Sequence, residues 1–299
     1  MTCQPCPILN AYPPLPAPKP MTFPAVIIPP TTYSLNYLIV GGGGSAGDAS
    51  NANAGGGGGG GVLSSQLRVL SGNPISVTIG AGGVAVTTLN HTGYVGGNST
   101  LTFDGITYTA IGGGRGATGN GTATGGSGGC GGGGSNSNGT LGSGGLGTAG
   151  QGYAGSAGGT GTDGSPYSGG GGGAGGAATG VTYDGSGNAI GGGGGVGFNS
   201  AITGFPYYYG VGGSGSADND GVTINMITTT GYGGYGSGSQ NKAYGLLNSN
   251  AAGFAGCAVL AIPTENFSGK YTGTLASGYP QKSGLSTILL FTGAGTYTT

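Results

Sequence analysis

With 82 glycines among 299 residues, 4% charged residues and a formal net charge of −1, this chain lies far from the globular norm. So little charge excludes disorder driven by charge repulsion, and six Lys/Arg are too few for a nucleic-acid-binding face. Leu, Lys and Glu are scarce beside Gly, Ser and Thr, so the chain is expected to be all-β with almost no α-helix.

Residues 1–33 form the first block. The run Pro13-Pro14-Leu15-Pro16-Ala17-Pro18-Lys19-Pro20, followed by Pro24 and Pro29-Pro30, predicts an extended, semi-rigid polyproline arm. Such an arm builds no core of its own. Apolar residues set between the prolines, above all Phe23, Ile27 and Ile28, give it surface to bury against a partner. It therefore reads as an attachment arm, with Pro13 and Pro14 stiffening it. Met1 to Cys6 show neither the basic region nor the apolar core of a secretory signal, so no signal peptide is expected. No apolar stretch is long enough to span a membrane. Cys3 and Cys6 form a CxxC, a weak metal-ligand candidate. A second CxxC or a histidine pair is missing, so neither metal nor cofactor is expected.

Residues 34–111 predict a β-rich lead-in. Leu35 to Val40 is a strand ended abruptly by Gly41. Leu67–Leu70 and Ile75–Ile79 flank the turn composition Ser71-Gly72-Asn73-Pro74 and predict a strand pair. Thr100–Phe103 and Ile106–Ala110 flank Asp104-Gly105, a strong hairpin signal.

Residues 112–256 are dominated by glycine. Over short windows it falls on every third position, as in Gly125, Gly128, Gly131 and Gly134, or Gly152, Gly155 and Gly158. The phase slips between windows, which excludes the unbroken collagen repeat. What fits is a set of short polyglycine-II helices, three residues per turn, stacked as a sandwich and joined by turns. Such segments have no internal hydrogen bonds, so their N–H and C=O groups must pair with neighbouring segments. Ordering each glycine costs roughly 1–2 kcal/mol or more with no side chain to bury, so interstrand backbone bonds must offset it. A flexible linker is the competing reading. The interspersed Leu141, Leu146, Tyr153, Val181, Ile190 and Phe198 argue against it.

The last block, residues 257–299, returns to β. Cys257–Ile262 is a strand closed by Pro263. Ser286–Phe291 and Thr296–Thr298 flank Gly293-Ala294-Gly295 and suggest a C-terminal hairpin. Lead-in and finish together would clamp the glycine body at one end and leave its far turns free. Cys130 and Cys257, in small-residue contexts, are expected as buried free thiols.

Catalytic chemistry finds no support. Tyr37 to Asp48 looks like the strand and glycine turn of a dinucleotide-binding fold, but seven glycines, Gly55 to Gly61, stand where part of its helix should be. The single histidine, His91, has no acid nearby. Asp218-Asn219-Asp220-Gly221 is a partial calcium loop without the completing Glu. The chain is not expected to be an enzyme. Tyrosine says more: 17 Tyr and no Trp, several of them in breaks between glycine runs. Phe205-Pro206-Tyr207-Tyr208-Tyr209 and Gly231-Tyr232-Gly233-Gly234-Tyr235 are the clearest. A tyrosine on a rigid turn offers apolar area and a hydroxyl at low entropy cost, which suits recognition. For Tyr207 to Tyr209, space-filling at the sandwich edge fits equally well.

The order of these pieces resembles a family. A strand entering polyglycine at Tyr37–Val40, Val77-Thr78-Ile79-Gly80-Ala81-Gly82-Gly83, Gly96-Gly97-Asn98-Ser99, the GGxGGGG blocks, Gly253-Phe254-Ala255-Gly256 and Phe291-Thr292-Gly293-Ala294-Gly295-Thr296 are similar to the glycine-rich domain of bacteriophage tail-fibre proteins. The resemblance spans roughly residues 35–299. It implies a virion protein, made in the host cytoplasm, in which stacked polyglycine-II helices carry receptor-contacting turns at their distal end. Candidate receptor residues are then Tyr207, Tyr208, Tyr209, Asp218, Asp220, Tyr232 and Tyr235, facing a host surface glycan or outer-surface protein. The arm would join other virion proteins, in an assembly for which a homotrimer is one arrangement. The alternative is a non-adhesive structural virion protein, a baseplate or capsid spacer.

Overall fold

The computed structural model describes residues 31–49, 53–162, 164–183, 189–216, 234–239 and 252–299. The arm, with Pro13, Pro14, Phe23, Ile27, Ile28, Cys3 and Cys6, lies outside them. Thr31–Thr299 form one compact unit. Its strands are β1 (Thr32–Val40), β2 (Val62–Leu70), β3 (Pro74–Thr78), β4 (Ser99–Phe103) and β5 (Ile106–Ala110), then four short hairpins. These are β6–β7 (Asn136–Ser137, Thr140–Leu141), β8–β9 (Gly159–Thr160, Pro166–Tyr167), β10–β11 (Thr182–Tyr183, Ala189–Ile190) and β12–β13 (Phe198–Ser200, Tyr207–Tyr209). The chain closes with β14 (Cys257–Pro263), β15 (Tyr271–Leu275), β16 (Gln281–Ser283) and β17 (Ser286–Thr298). Among the described residues there is no α-helix, only a 3-10 turn at Thr264–Asn266.

One antiparallel sheet of nine strands runs in the order β2-β1-β14-β17-β3-β4-β5, with β15 and β16 also on β17. It curls until its edge strands β2 and β5 touch, so it is nearly closed. Alternation along the central strands serves two cores. Leu35, Tyr37 and Ile39 of β1 join Leu260, Ile262, Leu289, Phe291 and Tyr297 inside the curl. Leu38 and Val40, the residues between, join Cys257, Val259, Ile288 and Leu290 on the other face, together with Cys130 and Ala174 from the glycine region. Burial on both faces explains why Cys257–Ile262 is an unbroken apolar run rather than an alternating one. Cys130 and Cys257 are buried free thiols, as expected.

Two local expectations are corrected. β2 and β3 do not pair: β2 lies on β1, and β3 lies between β17 and β4. Their connecting turn instead bonds to the chain end, Gly72 N–H donating to Thr299 O at 2.6 Å. The C-terminal hairpin is also absent. β17 runs unbroken through Gly293-Ala294-Gly295, pairing with β14 in its first half and with β15 and β3 in its second. The two glycines let β17 continue past the bulge in β15, where Gly273 has φ +100 and a methyl on it would sit 2.3 Å from Ala294 O. The Asp104-Gly105 hairpin does form, with φ of 49 and 75 as a type I′ turn requires.

Beyond the sheet the glycine runs bond to one another with a period of three. In residues 41–48, the N–H groups of Gly41, Gly44 and Gly47 donate to Gly61, Gly58 and Gly55. Those of Gly42, Ser45 and Asp48 donate to Gly97, Tyr94 and His91. Gly43 turns to a third neighbour, Phe254 O, at 2.9 Å. Each of these segments therefore turns the same set of N–H groups to the same neighbour at every third residue.

The run Gly55–Gly61 sits at the centre of this array. It donates from Gly55, Gly58 and Gly61 to Ala117, Gly114 and Ile111, from Gly56 and Gly59 to Gly169 and Gly172, and from Gly57 and Gly60 to Ser239 and Gly236. It accepts from residues 41–47, from Cys130 and Gly133, and from Gly213. Six surrounding segments leave no room for a side chain. A methyl on Gly57, Gly58 or Gly59 would lie 2.1, 2.3 or 2.2 Å from the carbonyl oxygens of Gly44, Cys130 and Gly210. On an outer segment the same period appears as burial: Gly80, Gly83 and Val86 are buried while Ala81, Val84 and Thr87 are exposed. The lead-in and glycine blocks, consecutive in sequence, are therefore interleaved in space.

Candidate functional site: the turn face opposite the sheet

The hydrogen-bond register gives the glycine body two ends. At one, Gly41, Gly61 and Ile111 leave or enter the sheet side by side, Gly41 N–H on Gly61 O at 3.0 Å and Gly61 N–H on Ile111 O at 2.8 Å. At the other end the connections between segments meet each other. Asp48 N–H donates to His91 O at 2.8 Å, and the Thr118 hydroxyl donates to Asp48 O at 2.6 Å. The Asn120 amide donates to Asn90 Oδ1 at 2.9 Å, and Gly121 N–H donates to the Ser137 hydroxyl at 3.0 Å. Asn136 then reaches across to Gly159 O at 3.1 Å and the Thr160 hydroxyl at 2.9 Å.

One band of amides and hydroxyls thus links turns from successive passes of the chain. Local sequence explains its rigidity. Asn90 and Asn138 occupy left-handed backbone, φ 59 and 48, which Asn tolerates better than most residues. Asn138-Gly139 closes the β6–β7 hairpin, and Asn136 Oδ1 accepts the Gly139 N–H at 3.0 Å. Aromatic rings stand at both limits of the band. Tyr94, 42% exposed, stacks on His91 with ring centroids 5.2 Å apart. At the other limit Tyr167 lies beside Tyr183, which is 45% exposed. Burial, and then the neighbouring Tyr183, push the Tyr167 hydroxyl above its ordinary pKa.

The tyrosines singled out from the sequence go elsewhere. Tyr207–Tyr209 form β13, paired with β12 at the sheet end of the body. Tyr209 is 1% exposed and packs with Cys257, Val259 and Ile288. Tyr207 meets it edge-on at 4.9 Å and is itself 6.4 Å from Tyr235, both partly buried against the same cluster. Burial first, then the adjacent Cys257, raises the pKa of all three hydroxyls. Of the two readings the sequence leaves open for Tyr207 to Tyr209, space-filling describes the buried ring of Tyr209, and Tyr207 and Tyr235 are partly buried against the same outer sheet face. Tyr208 is half-buried, and Phe205 at the hairpin tip is 80% exposed. Gln281 Nε2 donates to Thr203 O at 3.0 Å, tying this hairpin to β16. Asp218, Asp220 and Tyr232 lie outside the described residues.

Asn90, Asn120 and Thr160 were not legible as site residues. Asn136-Ser137-Asn138 and Tyr183-Asp184 stand out in the sequence as inserts between glycine runs, but only the segment register shows which inserts share an end. Among the described residues no helix is long and apolar enough to cross a membrane.

Fold and turn face together define a glycine-rich all-β body that presents connections from a backbone-bonded scaffold. The chain belongs to the glycine-rich domain family, whose model matches residues 19–263. No curated protein and no solved structure matches it.

Proposed function

We propose that this is a bacteriophage fibre protein that attaches the virion to the host cell through the turn face. The observation supporting this most is the period-three bonding, which fixes the turns of several chain passes at one end of a backbone-bonded body. A rigid scaffold with loops of varied length and sequence suits recognition, since loops can change while the scaffold does not. Pre-ordered turns also lose little entropy on contact, so more of the contact energy appears as affinity. The Pro-rich arm would join the protein to other virion components, and the far end would meet the cell.

Adsorption competition tests the reading. The purified protein, added to susceptible cells before phage, should block adsorption in proportion to its concentration. Asn120→Ala with Tyr183→Ala should remove that block while keeping the melting temperature. A protein that assembles into virions yet never binds cells would be a structural spacer instead.

A further inference from the structure

We infer that the end of the sheet remote from the glycine body docks on a virion protein, seating Phe205 and Leu285 in apolar pockets of that partner; this rests on the phage-fibre reading above. Strand register defines that end. β1, β2, β5 and β14 meet the glycine runs at Val40, Val62, Ala110 and Cys257. Their opposite ends, with the turns Ser71-Gly72, Asp104-Gly105 and Gly284-Leu285, therefore lie away from the body. Residues 1–30 join the chain there, since β1 begins at Thr32 opposite Leu70.

Two hairpin tips touch at this end. Gln281 Nε2 donates to Thr203 O at 3.0 Å, and a methyl on Gly204 would sit 2.5 Å from Ser283 Oγ. Next along the tips stand Phe205 and Leu285, 80% and 91% exposed, the two most exposed large apolar side chains described. The Leu285 carbonyl accepts the Thr264 N–H at 2.9 Å, which fixes the second tip to the end of β14. Neither side chain is used by the fold, and both tips are held before contact. Seating them in a partner therefore buries apolar surface at little entropy cost.

Charge shows the kind of partner. Arg68 donates to Thr32 Oγ1 at 3.2 Å, and Lys270 O accepts the Thr298 N–H. Glu265 follows Thr264, Asp104 lies in the β4–β5 turn, and Lys282 lies one residue from the β16–β17 turn. All five stand at this end. Among the described residues the only other Asp, Glu, Lys or Arg are Asp48 and Arg115, both in glycine runs. Apolar anchors among charges of both signs match a protein–protein contact. An anionic lipid surface would call for Lys and Arg alone. With the chain entering here, the partner is the virion protein that receives the arm, and a second, rigid contact would set the direction of the body.

The protein content of purified phage particles tests this. Phe205→Ser with Leu285→Ser in the full-length chain should lower incorporation about tenfold or more, as loss of anchor side chains does. This double variant should melt with wild type and, as soluble protein, block adsorption equally well. Should it melt early, Leu285→Ser alone, on the more exposed side chain, should still lower incorporation severalfold. Glu265→Lys with Lys282→Glu keeps the net charge and should also lower incorporation severalfold, through local mismatch. Normal incorporation of the double variant would overturn the docking face. Binding of wild type, but not the double variant, to phosphatidylcholine–phosphatidylglycerol vesicles would overturn it in favour of lipid. A fall from oligomer to monomer in light scattering would overturn it in favour of a second copy. Lost incorporation, beside wild-type protein that blocks no adsorption, would keep the docking face and overturn attachment alone.

Discussion

The Gln151 side chain is bonded to Ile111: its Oε1 accepts the Ile111 N–H at 2.9 Å, where β5 hands over to the glycine body. Its Nε2 donates to Thr109 O at 3.0 Å, and its own carbonyl accepts the Val62 N–H at 3.0 Å. One residue therefore seals the ends of both edge strands, β5 and β2, where the curled sheet nearly closes. Gln151→Ala leaves a partly buried N–H and a carbonyl without partners, which costs about 1–3 kcal/mol. Urea denaturation should show a lower midpoint with an unchanged slope. Gln151→Leu, similar in size but without the amide, should be no better than Ala.

Tyr209 is predicted to be a stability residue. Truncating a ring this buried to Ala costs about 3–5 kcal/mol, since the emptied space faces Cys257 and Ile288 in a packed cluster. Tyr208→Ser, on a half-buried position, should cost under about 1 kcal/mol. Thermal melts of the two variants check the difference, and equal losses would place both rings in one environment.

The strands Leu35–Val40 and Cys257–Ile262 were legible from their apolar runs, which are continuous over Tyr37–Val40 and Cys257–Ile262, where both faces are buried. Partner choice was not legible, since β3 pairs with β17 across more than 200 residues of sequence while β2 ignores its chain neighbour β3. The three-residue spacing of Gly125, Gly128, Gly131 and Gly134 did announce the packing period. The central place of Gly55–Gly61 was hidden, because seven identical residues carry no phase. For Tyr207–Tyr209, the sequence shows a ring on a turn, and only the register shows that the turn lies at the sheet end.

The thiols predict an alkaline limit to stability. Burial pushes Cys130 up to about 12, with a lesser opposing bond from the Tyr153 backbone, and burial alone raises Cys257 well above its ordinary value. A folded pKa above the unfolded one favours the unfolded state once the unfolded thiol ionises. Stability is therefore complete below about pH 8.5 and falls above it, by about 1.4 kcal/mol per pH unit for each thiol, until the folded pKa is reached. Melting temperature measured from pH 7 to pH 11 should decline from about pH 9. Neither thiol should react with a thiol reagent at pH 8 until denaturant is added.

Glycine substitutions should separate scaffold from spacer. Gly57→Ala places a methyl 2.1 Å from Gly44 O inside the six-segment array, and Gly180→Ala meets nothing within 4 Å. The first should cost more than about 4 kcal/mol or prevent folding, and the second should be near neutral. Gly128→Val, whose first carbon alone would approach Gly114 N at 2.4 Å, should behave like Gly57→Ala. Circular dichroism and melting of the three variants check this order.

Hydrogen exchange of the Gly55–Gly61 amides tests the central claim most directly. All seven N–H groups donate to backbone carbonyls of surrounding segments, and every residue of the run is buried. In mass-resolved exchange of the native protein, a peptide covering these residues should be as slow as one covering β14, opening only with global unfolding. Exchange of that peptide at the rate of an unfolded chain, while β14 stays protected, would make the run a solvated linker and contradict the account.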